Sequence, residues 1–166
     1  MDKISIIWKK RKIIVGLIGD YEFNKPIIDV FFEDPSRRKI QEYKFIEFEI
    51  NNHQLSHVLQ IDRYYTSAFS KEDYDLSAKA ISKLFPNDNG KTSLLYIDRF
   101  ITEGYCLESD QIRCEVNETE GGITWSNFSR ISYSGRFKYD YLRPFIFDKE
   151  EYFSLIEQLK FELNNG

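Results

Sequence analysis

The sequence predicts an α+β domain: an antiparallel β-sheet built from hairpins, with helices near 70–85 and 148–164 packed on it. Three observations lead there. Runs rich in β-branched and aromatic residues succeed one another with turn signals between them, as hairpin strands do. Only two segments carry a sustained helical period. Those helices do not alternate with the strands one for one, so parallel crossovers are not required. No Pro/Gly/Ser-rich linker, low-complexity tract or long repeat divides the sequence. Residues 1–166 therefore read as a single globular domain, long enough to bury about 70% of the surface its unfolded chain exposes.

The elements follow in order. "ISIIW" (Ile4 to Trp8) and "KIIVGLI" (Lys12 to Ile18) flank the basic "KKR" and predict a hairpin turning on it, covered on both faces. "PIIDVFFED" meets Pro35-Ser36 and returns as "KIQEYKFIEFEI", where Ile46, Phe48 and Ile50 alternate with Glu47 and Glu49. That alternation predicts a second hairpin with one solvated face. "NNHQLSHVLQ" fits either a short helix after Asn52 or a further strand.

From Ser70, an N-cap residue, acids in the first turn and the face Tyr74, Leu76, Ile81, Leu84 and Phe85 predict a helix ending before Pro86-Asn87. After "PNDNGK", four runs read as successive antiparallel strands: "TSLLYIDRFITEGYCLE", "DQIRCEV", "GGITWSNFSRISYS" and "RFKYDYLRPFIF". Asp148 and Glu151 then form a capping-box pattern ahead of the stripe Tyr152, Leu155, Ile156, Leu159 and Leu163.

Composition narrows the function classes. A 42% hydrophobic, 30% charged chain is not a disordered one, and 16% aromatic is enough to fill a core and to supply surface rings for a partner. A net charge of -4 argues against a nucleic-acid binder, which needs to neutralise phosphate. The "KKRK" and "RRK" clusters fall where turns are expected and read as solvated. The early apolar residues are broken by "KKRK" before reaching the length of a signal core or membrane span, so a cytoplasmic protein with no membrane association is expected.

Cys106 and Cys114, eight apart around "LESDQIR", fall opposite each other if a hairpin turns on Ser109-Asp110-Gln111. They read as reduced structural thiols, with a disulfide and a metal site as alternatives; zinc would need a further ligand pair. His53 and His57 have the spacing of two helical zinc ligands, but Gln54 stands where a metalloprotease has its glutamate. No phosphate loop or nucleophile elbow occurs, and no cofactor is expected.

Asp29, followed by Glu42, Tyr43 and Lys44, resembles the PD-(D/E)xK nuclease family, with Ile28 where the motif has proline. The resemblance implies a divalent cation on Asp29 and Glu42 and an attacking water positioned by Lys44. The alternative is the polar face of a solvated strand.

The densest chemistry is acidic. Glu103, Glu108, Asp110, Glu115, Glu118 and Glu120 fall within eighteen residues that hold one base, Arg113, and Trp125 and Phe128 follow closely. Carboxylates beside aromatics steer a cationic partner and then anchor it. The alternative is a solvated hairpin tip, with Ile123 and Trp125 in the core.

With two histidines, two reduced cysteines and no assembled triad, the sequence points to a binding protein rather than an enzyme. In overall profile, acidic, aromatic-rich and α+β, it resembles the immunity proteins of bacterial toxin systems, including those of contact-dependent growth inhibition. That resemblance implies a protein that neutralises a cognate toxin, commonly a basic nuclease domain, by occluding its active site. The acids Glu103, Glu108, Asp110, Glu115, Glu118 and Glu120 would supply the contact, with Trp125 and Tyr133 as anchors. An adaptor without inhibitory role, using an apolar groove or a free sheet edge such as "EYKFIEFEI", is the second expectation.

Overall fold

The computed structural model describes residues 1–19, 29, 32–61, 65–86, 91–99, 101–102, 105–106, 110–132 and 135–165, with backbone alone at 15–16, 101–102 and 105–106. It is an α+β fold of antiparallel sheets with helices against them. β1 (Ile4–Leu17), β2 (Arg38–Ile50) and β3 (His53–Gln54) form one sheet in the order β1-β2-β3. The second contains β4 (Tyr65–Ser67), β5 (Ser93–Asp98), β8 (Gln111–Thr119), β9 (Gly122–Ser132) and β10 (Gly135–Lys138), in the order β10-β9-β8-β5-β4. β11 (Phe145–Phe147) also pairs with β9. A short pair, β6 (Ile101–Thr102) and β7 (Tyr105–Cys106), stands apart.

The hairpin expected at "KKR" is instead one continuous strand, with β2 beside it throughout. The basic residues find partners on neighbouring strands, β2 and β3, so nothing forces a reversal there. Lys10 lies 3.6 Å from Glu42, Lys9 donates to Gln54, and the Arg11 guanidinium stands 5.4 Å from the Phe45 ring centroid. The return partner of β2 is thus β1 rather than "PIIDVFFED", most of which lies outside the described residues. Both readings of "NNHQLSHVLQ" are realised. Asn51 and Asn52, at φ 53° and 67°, make the two-residue turn into β3, and α1 (Leu55–Val58) follows.

The expected solvated face of β2 is also absent at Glu47, which is fully buried. Its Oε1 accepts from the Tyr96 hydroxyl and, at 2.9 Å, from the Phe48 amide. Burial, and secondarily the Glu47 charge, push the Tyr96 hydroxyl well above its ordinary range. Glu47 is enclosed because the segment after β4 runs along β2: the Ile46 amide donates to Phe69 O at 2.8 Å and Ser70 Oγ to Lys44 O at 2.6 Å. These bonds join the two sheets, a nonlocal event that alternation cannot announce.

Ser70 accepts from the Glu72 amide at 3.2 Å, capping a 3-10 turn at Lys71–Asp73, and α2 (Tyr74–Ser82) starts after it. Its buried face is Ser77, Ala80 and Ile81; Tyr74, expected inside, is 58% exposed. Helix α3 (Lys149–Asn165) buries the anticipated stripe in full, and Asp148 caps it through the Glu151 amide at 3.0 Å. The stripe packs beside Trp125, whose ring meets Phe48, Phe147 and Tyr152 edge to face. Trp125 Nε1 donates to Tyr152 Oη at 3.0 Å, and that hydroxyl donates to Leu84 O. Among the described residues no helix is long and apolar enough to cross a membrane.

Candidate functional site

From Asp110 on, the acidic stretch leads into the β8–β9 hairpin, which turns on Glu120-Gly121 between the paired Thr119 and Gly122. The alternation of β8 decides what its acids do. Ile112, Cys114 and Val116 enter the core, so Glu118 projects toward the helix side, where Lys149 of α3 pairs with it. Glu115 projects to the opposite face and accepts from Asn127 Nδ2. Asp110, before the strand, lies 3.9 Å from Arg130. Glu120 is exposed in the turn. The carboxylates are therefore divided between two faces and the tip, rather than gathered on one surface. Glu103, Glu108 and Tyr133 lie outside the described residues.

Trp125 is not a surface anchor. At 0% exposure it is a central core residue, because the odd positions of β9 at its start, Ile123 and Trp125, both face α3. The reversal expected at Ser109–Gln111 does not set the cysteines opposite each other either. Cys106 pairs in register with Ile101, and Cys114 with Ser93 of β5. Cys114 is a free thiol, and its burial pushes its ionisation far above the ordinary range.

The nuclease-like triplet is dispersed. Asp29 is exposed and outside any strand, Glu42 faces Lys10, and Lys44 Nζ stands 4.7 Å from the Trp8 ring centroid. β2 is flanked by β1 where the motif requires the strand bearing the first aspartate. Exposed His53 is on β3 and exposed His57 on α1, so the pair does not share a helix face. Among the described residues no group of three or more His, Cys, Asp or Glu is arranged to hold a metal ion.

What the sequence did not announce is an irregularity in β9. Its pairing with β8 shifts between Arg113 and Glu115, so that Asn127 and Phe128 together oppose Cys114. Such a bulge bends the strand and re-aims side chains. Asn127 adopts φ 52°, a left-handed conformation unusual for a residue inside a strand, and there its amide reaches Glu115. On the outer side of β9, β10 pairs with 129–132 and β11 with 123–125, leaving the bulge between them with neither. Phe128 O instead accepts from the Tyr139 amide at 3.0 Å.

A cavity of about 370 Å³ opens at this break. Phe128, Tyr139, Leu142 and Pro144 give it apolar surface; Glu115 and Asp140 supply carboxylates, Arg136 and Lys138 cations. Burial holds the Tyr139 hydroxyl above its usual range. Beside the cavity, Phe137 and Tyr141 are about three-fifths exposed, 58% and 60%, and stack edge to face on either side of Tyr139. Of the anticipated acids and aromatics among the described residues, Glu115 and Phe128 line this cavity. The sequence signal for Lys138, Tyr139 and Asp140 is "FKYDY", an aromatic-charged alternation too short to distinguish from an ordinary strand.

Comparison with protein-family models, with curated proteins and with solved structures gave no match.

Proposed function

We propose that this chain is an inhibitory binding protein that occupies a cationic protein partner, a toxin domain of the kind neutralised by the immunity proteins it resembles. The observation that carries the reading is the exposed end of the β8–β9 hairpin. Glu118 and Glu120 flank a turn whose Gly121 lies against the exposed side chain of Ile146. Carboxylates next to apolar surface give fast, salt-dependent encounter followed by a contact that excludes water. Glu115 adds a carboxylate on the opposite face of the sheet, while exposed Phe137, in register with Arg130 and Ile112, stands on the face that carries Glu118. The edge expected at "EYKFIEFEI" is not free, since β2 lies between β1 on one side and β3 and the segment after β4 on the other, and the outer strand of that sheet is β1.

The test is affinity capture from lysate of the source cells with the wild type and with a variant carrying Glu115→Lys, Glu118→Lys and Glu120→Lys, its fold checked by circular dichroism. The wild type is expected to recover a basic protein that is toxic when expressed alone and harmless when co-expressed with this chain. The variant is expected to bind it at least about tenfold more weakly at physiological salt. Equal recovery by the variant moves the contact elsewhere, and a captured partner whose toxicity is not relieved removes the inhibitory role.

A further inference from the structure

The cavity at the break in β9 has properties the partner-binding reading does not use. It is lined by two carboxylates and two cations, yet among the described residues no ion pair joins the two sets. Among the described residues the side chains of Asp140 and Lys138 make no hydrogen bond or ion pair, although opposite charges border the same hollow. Strand order keeps part of them apart. Glu115 is on β8 and Arg136 and Lys138 are on β10, with β9 between, so their backbones are separated by two strand spacings, about 10 Å. Asn127 holds Glu115 in place from a left-handed backbone conformation, and Ser129 Oγ accepts from Arg136 at 3.3 Å. Glu115 and Arg136 are thus oriented by neighbours without being neutralised by them.

From this arrangement we propose that the cavity binds a small zwitterion of amino-acid or dipeptide type. Its ammonium lies toward Glu115 and Asp140, its carboxylate toward Arg136 and Lys138, and an apolar side chain rests on Leu142 and Pro144. Size agrees: about 370 Å³ is at the lower end of small-molecule sites, and the charged ends of an extended dipeptide are about 7 Å apart. The chemistry agrees as well. A ligand with one charge would satisfy one wall and leave the other facing its own field, whereas a zwitterion pairs both and brings no net charge into a half-enclosed space.

The probe is the dipeptide Ala-Leu, with leucine beside it, titrated into the ¹⁵N-labelled full chain and followed by amide shifts. Binding is expected to move the amides of Asn127, Phe128, Lys138, Tyr139 and Asp140. N-acetylation of the peptide, which removes the ammonium, and C-terminal amidation, which removes the carboxylate, are each expected to weaken it about tenfold. In the variant Arg136→Gln/Lys138→Gln amidation should no longer cost affinity, while in Asp140→Asn acetylation should cost less. Because these three side chains are exposed, folding is not at stake, and unchanged spectra away from the cavity verify that. Absence of shifts with both probes at about 10 mM, or equal binding of the blocked and free peptides, overturns the proposal. Neither result depends on whether a toxin partner is found.

Discussion

Removing the hydroxyl of Tyr152 tests whether the core is organised around a polar relay or only around ring packing. In Tyr152→Phe the ring contacts with Trp125 and Phe147 persist, but two buried groups lose their partner: Trp125 Nε1, which donates to the hydroxyl at 3.0 Å, and Leu84 O, which accepts from it. A buried polar group left unsatisfied costs roughly 1–3 kcal/mol, and two such groups sharing one partner add incompletely, so the expected loss is about 3 kcal/mol. For a chain of this size, about 1 kcal/mol shifts Tm by 2–4 °C, and the variant should melt about 6–12 °C lower. Trp125→Phe removes the indole donor from the same relay. In a double-mutant cycle with Tyr152→Phe, followed by urea unfolding monitored by circular dichroism, the two changes should be coupled by about 1 kcal/mol. A Tyr152→Phe protein within about 0.5 kcal/mol of wild type, the range of ordinary surface changes, would refute the relay. If Trp125→Ala left stability intact and only weakened partner binding, the placement of Trp125 in the core would be wrong.

Three further outcomes are expected. Gly122 has φ 137° and a Cβ there would lie 2.1 Å from Phe147 O, so Gly122→Ala should lose at least about 2 kcal/mol in thermal or urea unfolding. Asp2 accepts two hydrogen bonds from Arg143, one from Asn51 and one from the Ile146 amide, and the Arg143 guanidinium foremost holds its carboxyl well below the usual range. A depressed folded-state ionisation stabilises above the ordinary aspartate range and is lost as pH falls through and below it. The stability gap between wild type and Asp2→Asn should therefore be full near pH 6 and shrink steadily toward pH 2, as read by unfolding at each pH. Cys114, buried with its ionisation pushed up, should resist iodoacetamide at pH 8 in the native protein and be alkylated once urea unfolds it, as measured by peptide mass.

The parts of the fold written in local pattern were legible, and the parts made by distant chain segments were not. The α3 stripe and its Asp148 cap follow from spacing alone, and the β8–β9 strands follow from their β-branched and aromatic composition. The basic run at Lys9–Lys12 was misleading because a charged residue reads as a turn unless its partner is known, and that partner, Glu42 or Phe45, arrives some thirty residues later. Glu47 misled for the same reason: its enclosure is produced by Tyr96 and the segment after β4. At the candidate site, Glu115 was visible as one acid among six. The cavity it lines depends on the register shift beside Cys114 and on how β9 divides its outer side between β10 and β11. Register is a property of strand pairs and has no signature in either strand alone.

The uninterrupted passage of β1 through Lys9, Lys10, Arg11 and Lys12 bears on the protein's colloidal behaviour. β1 is the outermost strand of its sheet, fourteen residues long, and a long outer strand is a template onto which another copy can add through its backbone. Four consecutive cations at its centre make a second copy of the same strand an unfavourable neighbour in either direction, since like charges would be brought within a few ångströms at each repeat. The run thus interrupts an otherwise largely apolar stretch from Ile4 to Leu17 that would favour fibrillar stacking. Charges in the middle of an outer strand are in this way a barrier to its pairing with a further copy of itself.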